Sequence, residues 1–303
     1  MDSANIQSRG AGLLMEATVV SGRDLCRENR RLTLALPPLE GAHPGQFLHL
    51  GRPADCDAPA SGPFLRRAFS IGGLRRNAAG CEVDLIYGVR GVGTRWLASL
   101  RSGDRLSVLG PLGRGFEIVP SKPHAWLVAG GVGLAPMLWL AEWLQRAGKA
   151  AVAFYGARTH DRIPLTVRDR SAVPTDGKSA VPAAEEFTRF QTPVVLSTDD
   201  GSLGLPGTVG DCLAAYRRAW TGDDGEVVVY ACGPEAMLAA VSKWCMGCGV
   251  ECYVCAEREM ACGMGVCQSC VVRVRDAEDR EGWRYALCCT EGPVFAARDV
   301  IWT

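Results

Sequence analysis

The sequence lacks the features that mark a membrane protein or a nucleic-acid-binding protein. Its most apolar stretch, residues 126–144, contains three glycines and Glu142, so no run is suited to cross a bilayer. The 33 basic and 33 acidic residues cancel, and no net charge would attract nucleic acid or an anionic membrane. Residues 1–12 have no basic stretch followed by an apolar run, so we expect no signal peptide and a cytoplasmic protein.

Cysteine, in contrast, is abundant, with 14 residues in a chain of 303. A chain of this length can bury a core without disulfides, and clustered cysteines in a reducing compartment are typical of metal ligands. Most of the cysteines are scattered and are interpreted as small buried side chains. The cluster near the C-terminus is different, because its cysteines are closely spaced.

The distribution of apolar segments predicts two domains and a small third. Residues 13–118 contain short β-rich segments separated by turn signals, which predict an antiparallel barrel or sandwich. Residues 123–250 alternate strands with helices, which predicts a parallel sheet. Residues 251–303 form the Cys-rich domain. The predicted strands are 16–20, 31–36, 46–50, 68–71, 83–87, 105–109, 125–129, 151–155, 193–197, 227–231 and 252–256, with helices at 135–146 and from 235.

Two stretches have the composition of loops. Residues 52–63, rich in Pro, Ala, Asp, Gly and Ser, predict an exposed loop, and residues 167–186 predict a mobile insertion.

The C-terminal cysteines have the spacing of a plant-type [2Fe–2S] site. Cys262, Cys267 and Cys270 form a C-x4-C-x2-C run, and the doublet Cys288–Cys289 follows at a distance. Glycines at 263 and 265 allow the positive φ values of a tight loop and let backbone N–H groups approach sulfur. Structural zinc favours paired C-x2-C knuckles and fits this spacing less well. Only one residue of the doublet can face the cluster from an extended backbone.

A second set of cysteines, at 245, 248, 252 and 255, resembles another metal site at first sight. Cys252 and Cys255 are three residues apart, so on a regular strand their side chains face opposite sides of the sheet. We therefore expect no second cluster there.

Two glycine-rich turns predict a nucleotide site. Gly131 and Gly133 follow a strand and precede a helix, where backbone amides and the positive helix end suit a pyrophosphate. Such a turn alone is a weak signal. Cys232, Gly233 and Pro234 follow a later strand of the same sheet, and ligands bind beyond the carboxyl ends of such strands.

A third site is suggested within the barrel. Arg67 and Ser70 lie on one predicted strand, and Gly91, Gly93 and Thr94 follow another. An Arg fork, a hydroxyl and exposed amides could hold a diphosphate, although the same residues would also suit a solvated strand edge.

The order of these motifs resembles that of the ferredoxin–NADP reductase superfamily. The motifs are Arg-x-x-Ser at 67–70, Gly-x-Gly-Thr at 91–94, Gly-Pro-Leu-Gly-x-Gly-Phe at 110–116, Gly-Gly-Val-Gly-x-Ala-Pro at 130–136, Cys-Gly-Pro at 232–234 and the cysteine run at 260–270. Within that superfamily, the Cys-x-x-Gly-Pro-Val-Phe ending at 289–295 closely resembles the electron-transfer subunits of class 1B dihydroorotate dehydrogenases.

The resemblance implies an FAD-binding β-barrel, an NAD-binding α/β domain and a small [2Fe–2S] domain. FAD would be held by Arg67, Ala68, Phe69, Ser70, Gly91, Gly93 and Thr94, and NAD(H) by Gly131, Gly133, Cys232, Gly233 and Pro234. Cluster ligands would be Cys262, Cys267, Cys270 and Cys289, the last preferred over Cys288 for its spacing to Gly292.

The resemblance also implies a partner. Electrons would pass between NAD and the FMN of a dihydroorotate dehydrogenase catalytic subunit through FAD and the cluster, in a heterotetramer of pyrimidine biosynthesis. No acid–base residue of this chain would be required.

Other interpretations remain open at this point. The chain is also similar to NAD(P)H-dependent ferredoxin reductase and sulfide dehydrogenase subunits. Oxygenase reductases carry the same cofactors on a larger ferredoxin module. A non-catalytic regulatory subunit would keep the fold without turnover. Arg158 follows a strand of the nucleotide domain, where it could meet the 2′-phosphate of NADP.

Overall fold

Alternation of apolar and polar residues closes the first six strands into an antiparallel barrel. The computed structural model describes residues 13–53 and 65–302, so most of the predicted loop 52–63 lies outside the described residues. The barrel order is β1-β2-β5-β4-β3-β6, and Leu34, Leu48 and Leu85 fill its interior. Its strands are β1 (Leu13–Asp24), β2 (Asn29–Leu36), β3 (Phe47–Gly51), β4 (Arg67–Asn77), β5 (Gly80–Gly88) and β6 (Arg105–Leu112). The predicted barrel is confirmed.

A short helix that the sequence analysis did not predict, α1 (Val92–Ser99), follows β5 and begins at Gly91. The hydroxyl of Thr94 accepts hydrogen bonds from the backbone N–H of Arg90 at 2.9 Å and of Gly91 at 3.0 Å. These bonds fix the first turn of α1, whose free N–H groups lie beside β4.

The second part of the chain is a seven-stranded sheet, parallel except at one edge. Its order is β10-β9-β8-β7-β11-β12-β15, and β15 joins β12 in the antiparallel direction. Its elements are β7 (His124–Gly130), α2 (Leu134–Arg146), β8 (Ala150–Ala157), α3 (Glu185–Thr188), β9 (Val194–Thr198), β10 (Leu205–Pro206), α4 (Val209–Ala219), β11 (Val227–Cys232), α5 (Glu235–Cys248) and β12 (Glu251–Cys255). The predicted parallel sheet is confirmed, with β10 and β15 as additions.

The direction of the connections reverses between β7 and β11. From β7 the chain builds β8 and β9 on one side, and it then returns to place β11 and β12 on the other. Ligands of open α/β sheets bind at this kind of reversal, beyond the carboxyl ends of the strands. Both predicted nucleotide turns lie there, after β7 and after β11.

The C-terminal region is a hairpin attached to the edge of the sheet. β13 (Val271–Arg275) pairs with β14 (Trp283–Leu287), and β15 (Val294–Ala296) then pairs with β12. Since β12 also pairs with β11, the predicted domain boundary at residue 251 falls inside a continuous sheet. The division into 13–118, 123–250 and 251–303 stays a prediction.

Residues 167–186, predicted to be a mobile insertion, pack on the parallel sheet. Isolated bridges join Val167 to Ala184 and Val181 to Val194, and Ala184 is fully buried. The buried Glu186 carboxylate accepts hydrogen bonds from the N–H and the hydroxyl of Thr166 at 2.9 and 2.8 Å. Composition favoured a mobile insertion because it could not show these long-range contacts. Within the described ranges, no helix is long and apolar enough to cross a membrane.

Candidate functional site

The C-terminal hairpin brings distant cysteines together. Val271 pairs with Leu287 at the open end of the hairpin, so Cys270 and Cys288, just outside that pair, lie side by side. The N–H of Cys288 donates to the carbonyl of Cys270 at 2.9 Å. A turn then follows, in which the N–H of Glu291 donates to the carbonyl of Leu287 at 2.8 Å. The hairpin therefore places the doublet beside the three-cysteine loop.

The two cysteines of the doublet face different surroundings. Cys288 is fully buried and donates its S–H to the carbonyl of Ala256 at 3.4 Å. Burial strongly raises the pKa of its thiol, with smaller contributions from Cys255 and Cys270. The thiol of Cys289 instead meets that of Cys270 and the backbone of Gly265, and burial followed by the Cys270 contact raises its pKa to about 12. Cys289 is therefore the residue that faces the loop.

The loop from Cys262 to Cys267 curls around its first sulfur. The N–H groups of Met264 and Cys267 both donate to Cys262 Sγ at 3.4 Å. Gly263 and Gly265 have φ values of 74° and 87°, as the sequence analysis expected. Amides that point at sulfur stabilise negative charge on a thiolate and on the metal group that it binds.

Cys267 is the exposed member of the loop. Its sulfur lies 3.2 Å from the hydroxyl of Ser269. Hydrogen bonding from the side chain and then the backbone of Ser269, with further contributions from Cys262, lowers the pKa of Cys267 to about 6. The thiolate is the form of cysteine that ligates metals, so the loop favours the ligating form.

The four sulfurs form two pairs, Cys262 with Cys267 and Cys270 with Cys289. This donor set fits a [2Fe–2S] cluster, which takes four cysteine thiolates, two at each iron. In the described parts of the chain, no three His, Cys, Asp or Glu side chains converge on one point as a single metal ion would need.

The cysteines at 232, 245, 252 and 255 form two thiol pairs on opposite faces of the sheet. The side chain of Cys252 meets that of Cys245 on one face of the sheet, and that of Cys255 meets that of Cys232 on the other. The two pairs belong to separate hydrophobic clusters. The prediction that Cys252 and Cys255 face opposite sides is confirmed.

The barrel presents a cradle for an anionic group. A methyl group placed on Gly93 would lie 3.2 Å from Cγ and 3.3 Å from Nε of Arg67, so the Arg67 side chain lies over the first turn of α1. Arg67 is exposed and donates to the carbonyls of Leu65 and Arg66 at 2.8 and 3.0 Å. A guanidinium and the free amides of a helix start together suit a diphosphate.

The other residues of the predicted flavin motif line the same strand, β4. Phe69 is buried and contacts the ring of Tyr87 edge-on, with the centroids 5.7 Å apart. Ala68 and Ser70 are half-buried on the opposite face and pair with His49 and Phe47 of β3.

The two nucleotide turns touch each other. A methyl group on Gly133 would collide with the carbonyl of Cys232, so only glycine allows this approach. Gly233 has φ 159°, and a methyl group on it would lie 3.1 Å from the backbone N and O of Gly130. Gly131, with φ 56°, faces open space at the start of the helical segment. The structure thus brings Gly131, Gly133 and the Cys-Gly-Pro turn into one place.

The barrel and the cysteine domain are in direct contact. The N–H of Arg114 donates to the carbonyl of Gly292 at 2.6 Å. A methyl group on Gly113, which has φ 77°, would lie 2.6 Å from Cδ of Pro293. The Gly-Pro-Leu-Gly-x-Gly-Phe segment of the barrel therefore packs against the residues that follow Cys289.

Comparison with known proteins identifies both domains beyond the barrel. Residues 257–301 match the profile of the iron-sulfur cluster binding domain of dihydroorotate dehydrogenase B, and residues 127–243 match that of the oxidoreductase NAD-binding domain. Over 288 residues the chain is 34% identical to the electron transfer subunit of dihydroorotate dehydrogenase B (NAD(+)) from Caldanaerobacter subterraneus subsp. tengcongensis. That match covers 95% of this chain and 98% of the relative. The subunit from Geobacillus kaustophilus is 36% identical, with 94% and 97% covered.

The chain belongs to this family. It is an oxidoreductase subunit with an NAD-binding and an iron–sulfur domain, as the resemblance implied. Among solved structures, an NADH-dependent reduced ferredoxin-NADP oxidoreductase superposes with a TM-score of 0.73 at 23% identity, covering 94% of this chain and 90% of that one. A ferredoxin NADP+ reductase from Neisseria gonorrhoeae with bound FAD and NADP gives 0.58 at 16% identity, covering 82% and 95%.

The comparisons support the predicted cofactors. The two family profiles support an iron–sulfur cluster and NAD(H), and the solved structures share the fold of this chain. Two residues at the site were missed by the sequence analysis, His49 and Gly113. Gly113 carried a signal, since it belongs to the Gly-Pro-Leu-Gly motif, whereas His49 lies in an ordinary β-strand.

Proposed function

We propose that this chain passes electrons between NAD and an FMN-containing dihydroorotate dehydrogenase catalytic subunit in pyrimidine biosynthesis. The observation that carries the proposal is the contact of the flavin barrel with both cysteine segments, through His49 at Gly263 and through Gly113 at Pro293. When bound, the flavin exchanges a hydride with the nicotinamide and the cluster carries electrons singly. The chain's own part is to hold these groups close together and away from water.

We assign the cluster to Cys262, Cys267, Cys270 and Cys289. The two neighbouring thiol pairs support this assignment, and so do the N–H groups directed at Cys262 Sγ. We leave Cys288 out of the set because its thiol donates to the carbonyl of Ala256, away from the loop.

We assign FAD to the cradle of Arg67, Gly91, Gly93 and Thr94. Arg67 would neutralise the diphosphate, and the amides at the start of α1 would donate to its oxygens. Ala68 and Ser70 on β4 would line the flavin ring with their side chains, and Phe69, whose ring packs in the barrel against Tyr87, would contribute its backbone.

We assign NAD(H) to the reversal point of the sheet. The N–H groups at Gly131 and Gly133 would hold its pyrophosphate, and Cys232, Gly233 and Pro234 would lie against the nicotinamide. Arg158 is exposed after β8, where its guanidinium would be the group to meet a 2′-phosphate of NADP.

The surface around Cys267 supports a protein partner. Met264 and Val266 precede the exposed Cys267 in the sequence and are 52% and 76% exposed, and Tyr285 of β14 is 58% exposed. Exposed apolar side chains at a redox group suit a stable protein interface. We propose a cytoplasmic heterotetramer of two such chains and two catalytic subunits.

Co-expression with an FMN-containing dihydroorotate dehydrogenase subunit tests the proposal. The expected result is co-purification in a 2:2 complex, flavin bands with a broad iron–sulfur shoulder, and orotate formation coupled to NAD reduction. A colourless folded protein, or an iron-free protein containing zinc, would disprove it.

The second candidate is an NAD(P)H-dependent ferredoxin reductase or sulfide dehydrogenase subunit. The superposition on the ferredoxin-NADP oxidoreductase favours it. It predicts that ferredoxin, and not dihydroorotate with a catalytic subunit, exchanges electrons with the purified chain.

A further inference from the structure

His49 is a buried polar side chain without a partner. It lies on β3 and is fully buried, yet neither Nδ1 nor Nε2 has a hydrogen-bond partner among the described residues. Buried polar groups in proteins are normally hydrogen-bonded, and an unpaired one destabilises the fold. An apolar side chain of similar size would pack at this position without that penalty, so the imidazole requires another explanation.

The imidazole ring faces the three-cysteine loop. A methyl group on Gly263 would lie 2.8 Å from Nδ1 of His49 and 3.3 Å from both Cγ and Cε1. The ring therefore lies against the backbone of Gly263. The carbonyl groups of Met260 and Cys262 flank the ring, outside hydrogen-bond geometry. A small shift of this loop would bring one of these carbonyls onto a ring N–H.

The neutral ring has the hydrogen-bonding groups for this contact. Arg66 is held in place by Ser107, whose carbonyl and hydroxyl accept from it at 2.9 and 2.7 Å, and it donates to the His49 carbonyl at 3.3 Å. A neutral imidazole offers one N–H donor and one acceptor.

The other side of His49 belongs to the flavin barrel. Its register partner on β4 is Ala68, which lies between Arg67 and Phe69. Leu48 and Leu50 fill the barrel interior, so His49 points outward by the alternation of a strand. One residue thus joins the strand pair of the flavin motif to the cysteine loop.

We infer that His49 is a positioning residue, whose ring N–H donates to a backbone carbonyl of residues 260–262 in the loaded protein. It thereby fixes the distance and orientation between the cluster and the flavin. The inference rests on the proposed function, since it needs both groups to be present. No proton is transferred and no charge changes at His49 in this role.

Three variants test the inference in the complex with the catalytic subunit. His49→Leu removes both nitrogens, whereas His49→Asn and His49→Gln each return an N–H donor near one of the ring nitrogens. In stopped-flow experiments with NADH, we expect normal flavin reduction in all three. Cluster reduction should slow about tenfold or more in His49→Leu, as expected for a misplaced reacting group, and recover in at least one amide variant.

Two further readouts do not depend on turnover. Backbone amides of residues 260–265 should exchange hydrogen faster in loaded His49→Leu than in the wild type. The EPR spectrum of the dithionite-reduced cluster should broaden, because the loop would take more than one arrangement. An unchanged cluster phase together with unchanged exchange in His49→Leu would overturn the inference. Failure of both amide variants to restore either property would also overturn it, since packing alone would then explain His49.

A glycine pair covers the case in which His49→Leu does not load its cluster. Gly263→Ala would push the ring away, whereas Gly265→Ala has similar backbone strain in the same loop but meets Thr290 at 3.1 Å. We expect Gly263→Ala to slow cluster reduction more than Gly265→Ala, and equal effects would contradict the inference. Wild-type protein without iron would instead refute the proposed function itself.

Discussion

Cys288 and Cys289 are neighbours in the sequence, but their thiols are directed at different parts of the molecule. Cys288 donates to the carbonyl of Ala256 in the interior, and Cys289 meets Cys270 at the loop. The turn after β14 causes this difference, since it rotates the chain between the two residues. One thiol therefore lies in the packed interior and the other beside the three-cysteine loop.

Replacing the two cysteines one at a time should separate these roles. Cys289→Ala should remove the iron–sulfur absorbance and most of the bound iron, because a [2Fe–2S] cluster needs four thiolates. Cys288→Ala should keep the cluster and lower the free energy of unfolding by about 1 kcal/mol for the lost buried atom and hydrogen bond. Iron and sulfide per chain are the measurement, and iron loss in Cys288→Ala with retention in Cys289→Ala would reverse the assignment.

Gly133→Ala should weaken nucleotide binding and spare the other cofactors. The added methyl would collide with the carbonyl of Cys232, so one of the two turns must move. We expect the Kd for NADH to rise about tenfold or more, which corresponds to about 1.4 kcal/mol. Gly247→Ala is the matched control, because a methyl there meets nothing within 4 Å. Titration of flavin fluorescence with NADH measures both, and an unchanged Kd in Gly133→Ala would contradict the site.

Arg67→Ala should release FAD. A charge-assisted hydrogen bond to a diphosphate contributes about 1.5–3 kcal/mol, so the Kd for FAD should rise about 10- to 100-fold. Arg101→Ala removes an exposed guanidinium elsewhere on the barrel and should leave FAD bound. Equilibrium dialysis gives the two values, and equal FAD affinity in both variants would show that Arg67 does not hold the diphosphate.

The barrel should lose stability in acid through Asp84. Burial would raise the pKa of this carboxyl, but hydrogen bonds from Arg75 at 2.6 Å and Thr33 at 2.7 Å lower it overall. A pKa lower in the folded than in the unfolded state stabilises the fold above the unfolded value of about 3.9, and this contribution is lost as pH falls through the folded pKa.

Melting temperatures measured from pH 7 down to acid should show this loss. Asp84→Asn should melt below the wild type at pH 7, and the difference between the two should shrink as the pH falls below about 4. Glu40→Gln, an exposed carboxylate of the same barrel, should match the wild type throughout. A constant difference between Asp84→Asn and the wild type would refute the assigned role of Asp84.

Gly113→Ala should loosen the contact between the barrel and the cysteine domain. Its methyl would meet Pro293 at 2.6 Å, and its φ of 77° is itself unfavourable for alanine. Gly103→Ala has φ 91° but no atom within 4 Å, so it carries the backbone strain alone. We expect Gly103→Ala to lower the free energy of unfolding by about 1–2 kcal/mol, because of backbone strain alone. Gly113→Ala should lower it by about 1–3 kcal/mol more, because its methyl group is also crowded. Denaturant unfolding measures the stability of both variants, and equal losses of stability would mean that Gly113 does not pack tightly against Pro293.

The order of motifs was enough to predict the barrel, the parallel sheet and the cysteine loop. Each depends on local rules, such as alternation along β4, the glycines that precede α2, or the spacing from Cys262 to Cys270. The hairpin of β13 and β14, helix α1 and strand β15 were missed. The valines of β13 carried a β-branched strand signal that was overlooked, whereas β15 is three residues long and forms only because β12 offers an open edge.

The sequence by itself determined which kinds of chemistry are available. Four cysteines, tight glycine turns and an Arg-x-x-Ser strand can each be recognised from a few residues close together in the sequence. Tertiary structure alone decided which of Cys288 and Cys289 faces the loop, and that His49 and Gly113 hold the cysteine segments against the barrel. The reason is physical: His49 with Gly263 and Gly113 with Pro293 are more than 100 positions apart, and Cys289 meets Cys270 only across the folded hairpin, so the packed fold sets these distances.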